Sequence, residues 1–509
     1  MKINLEKYAI TLFFLLLSNS LLASPFRFHP VFSDDMVLQR EKPVAVFGFG
    51  KPGTEISVEF KGATKKTAVL PEGSWKVLLP PLPASAEGSV LTATSENESI
   101  SCKNVLVGDV WFCSGQSNME RPFSTFSELK LVVPTLGRPL VRIYCTAQEP
   151  SPHPLEVPMI PTKKNESDTN LWHPSTPEFL INFSPIAYFF AEKTSDELKI
   201  PIGMVVSARG ATQIECWIPQ ETLDALHLNI EFQIASKNPP PHEPAVLYNS
   251  MIHPFLNLTL KGFLWYQGES NSKWPENYKK TFPALIQGWR EKFQALEDPF
   301  YFVQIAPYHP LPWDLTKGEA WAWIREAQMS ALALPKTGMT VITDLGEYED
   351  IHPQSKKAAG ERLALFALRD AGLPVQPESP LFDSMEIKGN RSLLRFKNAA
   401  SGLEIRRVVM NKKKEQPIQK DPEAFVVEPD QIRGFTLCGE DQKFVDAQAN
   451  IVGDHLEVWS DSVPYPIAVR YGWKSFPLCN LFGKEGLPVS PFRTDSFPMP
   501  TLFQEKTPE

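Results

Sequence analysis

The chain has 509 residues, 42% of them hydrophobic and 22% charged, with a formal net charge of −8 at pH 7. That length exceeds one ordinary hydrophobic core, so two or three domains are expected, and the balance of apolar and charged residues excludes a disordered chain. The acidic balance sets nucleic-acid binding aside, because the longest basic run, Lys412-Lys413-Lys414, reads as a solvated hairpin tip.

In chain order the first element is a leader. Lys2 and Lys7 precede the apolar run Ala9 to Leu17, and small residues follow up to Ala23 and Ser24. Residues 1–24 therefore read as a secretory signal peptide, since the apolar run falls short of the ~20 residues a membrane span needs. The mature protein is expected to be exported, periplasmic or secreted, with no membrane span after cleavage.

Residues 25–104 alternate in short runs broken by turn residues. Val44 to Gly50, Ile56 to Phe60, Ser74 to Leu79 and Val90 to Thr94 predict a small N-terminal β domain. From 105 to 375 strands alternate with helices, as in an α/β sheet. Val105 to Cys113 is an apolar strand that ends in the polar turn Gly115-Gln116-Ser117-Asn118-Met119. Residues 149–180, rich in Pro, Ser, Thr and Asn, read as a surface excursion. Ser184-Pro185 opens a helix that runs to Leu198. Buried strands are then expected at Ile202 to Ser207, ending at Arg209-Gly210, and at Phe263 to Tyr266, ending at Gln267-Gly268-Glu269. Further strands fall at Tyr301 to Ile305 and Met339 to Thr343, with a helix at about 321 to 333 between them, and a helix after Pro353 stops at Gly372. Residues 376–509 return to strand patterns and read as a C-terminal β region.

The six cysteines show no CxxC spacing and no compact Cys/His cluster of the structural-zinc type. Cys113 and Cys216 sit in apolar strand contexts that suit buried thiols.

Two pieces carry chemistry. Ser117 lies on a glycine-flanked turn after a strand, where backbone N–H groups can face a developing oxyanion. Its competing role is a helix cap. Far downstream, Glu349-Asp350-Ile351-His352-Pro353 places a histidine beside two carboxylates just ahead of a helix. A serine hydroxyl needs a base in hydrogen-bond reach to act as a nucleophile, and His352 is the candidate. Together, in that order, they outline a serine esterase, whose chemistry needs no metal or organic cofactor. Gly210, at a strand end open to close backbone approach, joins the Ser117 N–H as a candidate oxyanion donor. Arg121, Arg209 and Arg325 lie near strand ends or motifs and suit a substrate carboxylate. Trp111, Trp217, Trp265 and Tyr266 offer sugar-stacking faces, with buried core as the default.

Gly115-Gln116-Ser117-Asn118-Met119, Trp265-Tyr266-Gln267-Gly268-Glu269-Ser270-Asn271 and Asp350-Ile351-His352-Pro353 resemble the signature blocks of the sialate O-acetylesterase family, within the SGNH hydrolases. The resemblance extends to Leu247 to Pro254 and Asn480 to Pro488. It implies an SGNH-like parallel sheet flanked by helices with accessory all-β regions at both ends. It also implies an O-acetylated sialic acid or glycan as substrate, and Gln267 as a third oxyanion donor through its side-chain amide. Many SGNH hydrolases place Asp three residues before the histidine, where this chain has Glu349. Members similar to this chain have Asp two residues before it, which favours Asp350, with Glu349 or a backbone carbonyl as alternatives. An esterase for acetylated xylan or another carbohydrate, and a non-catalytic glycan-binding β protein, are the rival readings.

Overall fold

The computed structural model describes residues 26–160, 169–228, 243–309, 318–412 and 423–499. The expected signal peptide, part of the 149–180 excursion and Lys413-Lys414 lie outside them.

The central element is a mixed sheet of eleven strands. Its parallel part is built from β1 (Ser99–Gly115), β2 (Val141–Cys145), β4 (Ile202–Ala208), β5 (Gly262–Tyr266), β6 (Phe300–Val303) and β7 (Thr337–Thr340), with β3 (Trp172–Pro174) antiparallel at one edge. The spatial order is β3-β2-β4-β1-β5-β6-β7. The chain builds outward on one side of β1, returns through β4, and continues on the other side through β5. This reversal makes the crevice beyond the C-terminal end of β1 the natural ligand position of an open α/β sheet.

Both faces of the sheet are covered, which is why its strands are apolar without alternation. Neighbouring residues of β1 point to opposite faces. Trp111 packs edge-on against Phe190 of α2 (Pro185–Leu198), while Phe112 meets Trp289 of α3 (Pro275–Lys292). Helix α4 (Ala320–Met329) lies beside α3, and α5 (Lys356–Asp370) packs along α2. Ser184 caps α2 by accepting the Ala187 N–H, and Pro185 takes the first turn, where its missing N–H is not needed.

Three differences from the sequence reading have clear causes. The boundary expected at 104/105 falls inside one strand, because β1 begins at Ser99. The N-terminal half of β1 pairs with Ser85–Thr94 and, in parallel, with Val37–Gln39, so strands from both sides share one hydrophobic core. The segment read as a surface excursion is partly built into the sheet: Trp172 is buried and its indole N–H donates to the Val31 carbonyl. Finally, α3 has no counterpart in the sequence reading, because Pro283 stands inside it, where proline ordinarily breaks a helix.

The C-terminal region holds two four-stranded antiparallel sheets around a separate core. The six cysteines form no disulfide, and burial raises the thiol pKa of several, Cys113 included. Among the described residues no helix is long and apolar enough to cross a membrane.

Candidate active site

Three strand ends converge on one point. Gly115 closes β1 in register with Ala208 of β4 and Tyr266 of β5. Its φ is +134°, and a Cβ there would lie 2.2 Å from the Tyr266 carbonyl oxygen, so only glycine lets the turn form this close to β5. The chain then enters the short helix α1 (Ser117–Glu120) with Ser117 as its first residue. Gln116 is buried, and its Oε1 accepts the Ser270 N–H at 3.2 Å, tying the turn to the segment after β5.

His352 arrives from the loop between β7 and α5. Its Nε2 lies 2.9 Å from Ser117 Oγ. Asp350 Oδ1 accepts the His352 backbone N–H at 2.9 Å and sits 3.4 Å from Nδ1. The latter distance is longer than an ideal bond, as resting catalytic contacts often are. Glu349 is exposed, with its backbone N–H on the Lys412 carbonyl. Of the two acids, the one two positions before the histidine is the one brought to it. The His352 pKa is lowered chiefly by burial, and further by Arg121 and Lys356, against the opposing pull of Asp350. This shift favours the neutral, proton-accepting imidazole.

Gly210 follows β4 and packs on the serine: a Cβ on it would lie 3.3 Å from Ser117 Cβ and 2.7 Å from Glu120 Oε2. Glu120 turns its carboxylate toward the Gly210 N–H and the Gln148 side chain, and burial raises its pKa. Arg121 and Arg209 are half-buried around this carboxylate, and the Arg209 guanidinium also holds the Gln148 carbonyl.

Two expected roles are corrected. Gln267 is fully buried, and its Nε2 donates to Asn271 Oδ1 at 2.7 Å and to the Thr212 carbonyl at 3.2 Å. Asn271 is itself oriented by the Ile214 N–H and the Glu215 carboxylate. With both amide hydrogens engaged, Gln267 has none for an oxyanion. Arg325 is wholly buried, and its guanidinium donates to the carbonyls of Ile305, Lys474 and Ser475. It braces α4 against two segments, at Ile305 and at Lys474-Ser475, and cannot touch a substrate. Trp111, Trp217, Trp265 and Tyr266 are likewise core residues.

Sequence reasoning missed a buried polar cluster behind the serine. Asn118, Glu269 and Lys356 meet there. Two of the three stand inside the recognised blocks, which was a signal for them; Lys356 had none. Among the described residues no group of three or more His, Cys, Asp or Glu is placed to hold a metal ion.

The carbohydrate esterase family described as sialic acid-specific acetylesterase matches residues 107–369. Human sialate O-acetylesterase is 30% identical over 92% of each chain. The mouse sialate O-acetylesterase is 31% identical over 67% of this chain and 73% of its own. Among solved structures, a carbohydrate acetylesterase from Xanthomonas citri superposes with a TM-score of 0.80 at 33% identity, covering 92% of this chain and 100% of that one. Fold, site and matches together define a carboxylic ester hydrolase acting on acetylated carbohydrate or sialate. The chain belongs to the sialic acid-specific acetylesterase family of carbohydrate esterases.

Proposed function

We propose that the protein removes O-acetyl groups from sialic acids or sialoglycans through an acyl-enzyme on Ser117. The observation that carries this reading is the 2.9 Å contact between Ser117 Oγ and His352 Nε2. His352 takes the hydroxyl proton as Ser117 Oγ attacks the acetyl carbonyl, and Asp350 stabilises the imidazolium that forms. The oxyanion is met by the Ser117 and Gly210 N–H groups, the Glu120 carboxylate yielding its place at Gly210. Collapse of the tetrahedral species breaks the bond to the sugar oxygen, which leaves with the proton from His352. Water, deprotonated by His352, then attacks the acetyl group and releases acetate and free Ser117. Arg121 and Arg209 are the cations available to a sialic acid carboxylate. The basic-then-apolar pattern of residues 1–24 supports export, to the periplasm or beyond the cell.

A second reading, a neutral acetylated polysaccharide as substrate, is favoured by Glu120. Its carboxylate next to Ser117 opposes an anionic sugar unless the two arginines outweigh it. The test is acetate release from 9-O-acetylated sialic acids and from acetylated xylan, each with the unsubstituted protein and with Ser117→Ala. Release from sialic acids that vanishes in the variant is expected. Release from xylan alone would favour the second reading, and activity that survives Ser117→Ala would refute the mechanism.

A further inference from the structure

The two elements that supply Ser117 and His352 are 235 positions apart in the chain, yet their side chains must meet within a few tenths of an ångström. The side chain that joins them is Asn118, the residue after the serine. Its Nδ2 donates to the Ile351 carbonyl at 3.0 Å, the residue before the histidine, and to Glu269 Oε1 at 2.6 Å. Its Oδ1 accepts from the Nζ of Lys356, at the start of α5. Asn118, Glu269 and Lys356 are all buried. The Lys356 ammonium also faces the rings of Phe126 at 5.3 Å and Tyr266 at 5.4 Å.

Resting on the reading of Ser117 as nucleophile, we propose that Lys356 is a positioning residue for the esterase reaction, acting through Asn118 and Glu269 to clamp the serine turn onto the histidine loop. An amide alone could rotate. With its oxygen held by an ammonium and its nitrogen shared between a carboxylate and a carbonyl, Asn118 has one orientation. Stability by itself gives no reason for the arrangement, because well-packed apolar groups often replace a buried charged pair without loss. The charged groups facing Lys356 are Glu269, Glu347, Asp350 and Arg121. Those facing His352 are Asp350, Arg121 and Lys356. Lys356 as a cation therefore opposes protonation of His352, and burial lowers its own pKa to about 7.

The test uses the whole protein with p-nitrophenyl acetate and the variants Lys356→Met, Lys356→Met/Glu269→Gln and Ser117→Ala. Lys356→Met is expected to lower kcat about 100-fold with KM within about threefold, because ground-state contacts are untouched. Its acid limb in kcat/KM should move to higher pH, since a cation near His352 is gone. The double variant removes both charges together. It should recover thermal stability relative to Lys356→Met, or fold if the single variant does not, while its turnover stays low. Turnover in Lys356→Met within threefold of the unsubstituted protein, with an unmoved acid limb, would overturn the proposal. So would turnover in the double variant that returns together with stability, which would make Lys356 a folding residue only. Activity that survives Ser117→Ala would refute the nucleophile assignment, whereas activity lost there but kept in Lys356→Met would refute the clamp alone.

Discussion

Replacing Asp350 by Asn tests the orientation of His352 with the least disturbance to the loop. The amide oxygen of Asn can still accept the His352 backbone N–H that Asp350 Oδ1 now accepts at 2.9 Å. What is lost is the charge facing Nδ1 at 3.4 Å. At an effective dielectric constant of about 20, unit charges at that distance attract by about 5 kcal/mol. The side chains of His352 and Asp350 are only 15% and 11% exposed, so solvent screens little of it. The attraction exists only when the imidazole is protonated, that is, as the serine proton arrives. A loss of roughly 3–5 kcal/mol then predicts a fall in kcat of about 100- to 10,000-fold with little change in KM. The pH dependence has a definite sign. Asp350 raises the His352 pKa; without its charge the acid limb of kcat/KM moves to lower pH, while the plateau falls. The assay is p-nitrophenyl acetate hydrolysis across the acid limb, with Glu349→Gln as the control. That control should stay within about twofold, because a neutralised side chain on the surface changes little. A plateau for Asp350→Asn within tenfold of the unsubstituted protein, or an acid limb that moves upward, would refute the reasoning and leave a backbone carbonyl as the orienting group.

Ser117→Ala should cost at least about 1,000-fold in turnover with an unchanged melting temperature, and adding His352→Ala should cost little more, because the pair acts as a unit; steady-state kinetics on the two single variants and the double variant checks this. Arg325→Ala should strip the donor from the buried Ile305 carbonyl, remove one from the carbonyls of Lys474 and Ser475, and destabilise the fold by about 3 kcal/mol or more, read by denaturant unfolding, while activity per folded molecule on a neutral ester holds. Arg121→Ala and Arg209→Ala separate the two substrate readings. If sialic acid is bound, one of them should raise KM for the acetylated sialic acid about tenfold or more, a charge-assisted pair being worth ~1.5–3 kcal/mol, and spare p-nitrophenyl acetate. Equal effects on both esters would point to the neutral polysaccharide.

What the sequence determined by itself is the part that depends on neighbours along the chain. Ser184 and Pro185 announce a helix because capping and a preset φ are local. The apolar runs of β4 and β5, and that of β1 from Val105 to Cys113 broken only by Asp109, announce strands buried on both faces, because a covered parallel sheet tolerates them. Ser117 and His352 stood out because each sits at a turn between regular elements. The tertiary structure decided which polar groups are left free to act. Gln267 and Arg325 carry suitable chemistry for an oxyanion and a carboxylate, but their hydrogens go to Asn271 and Thr212, and to Ile305, Lys474 and Ser475. Asp350 and Glu349 are adjacent in sequence, yet only one faces the imidazole. Lys356 carried no motif, and its place behind the serine exists only because α5 packs there. A side chain's identity is written locally, whereas its availability depends on partners that only folding brings within 3 Å.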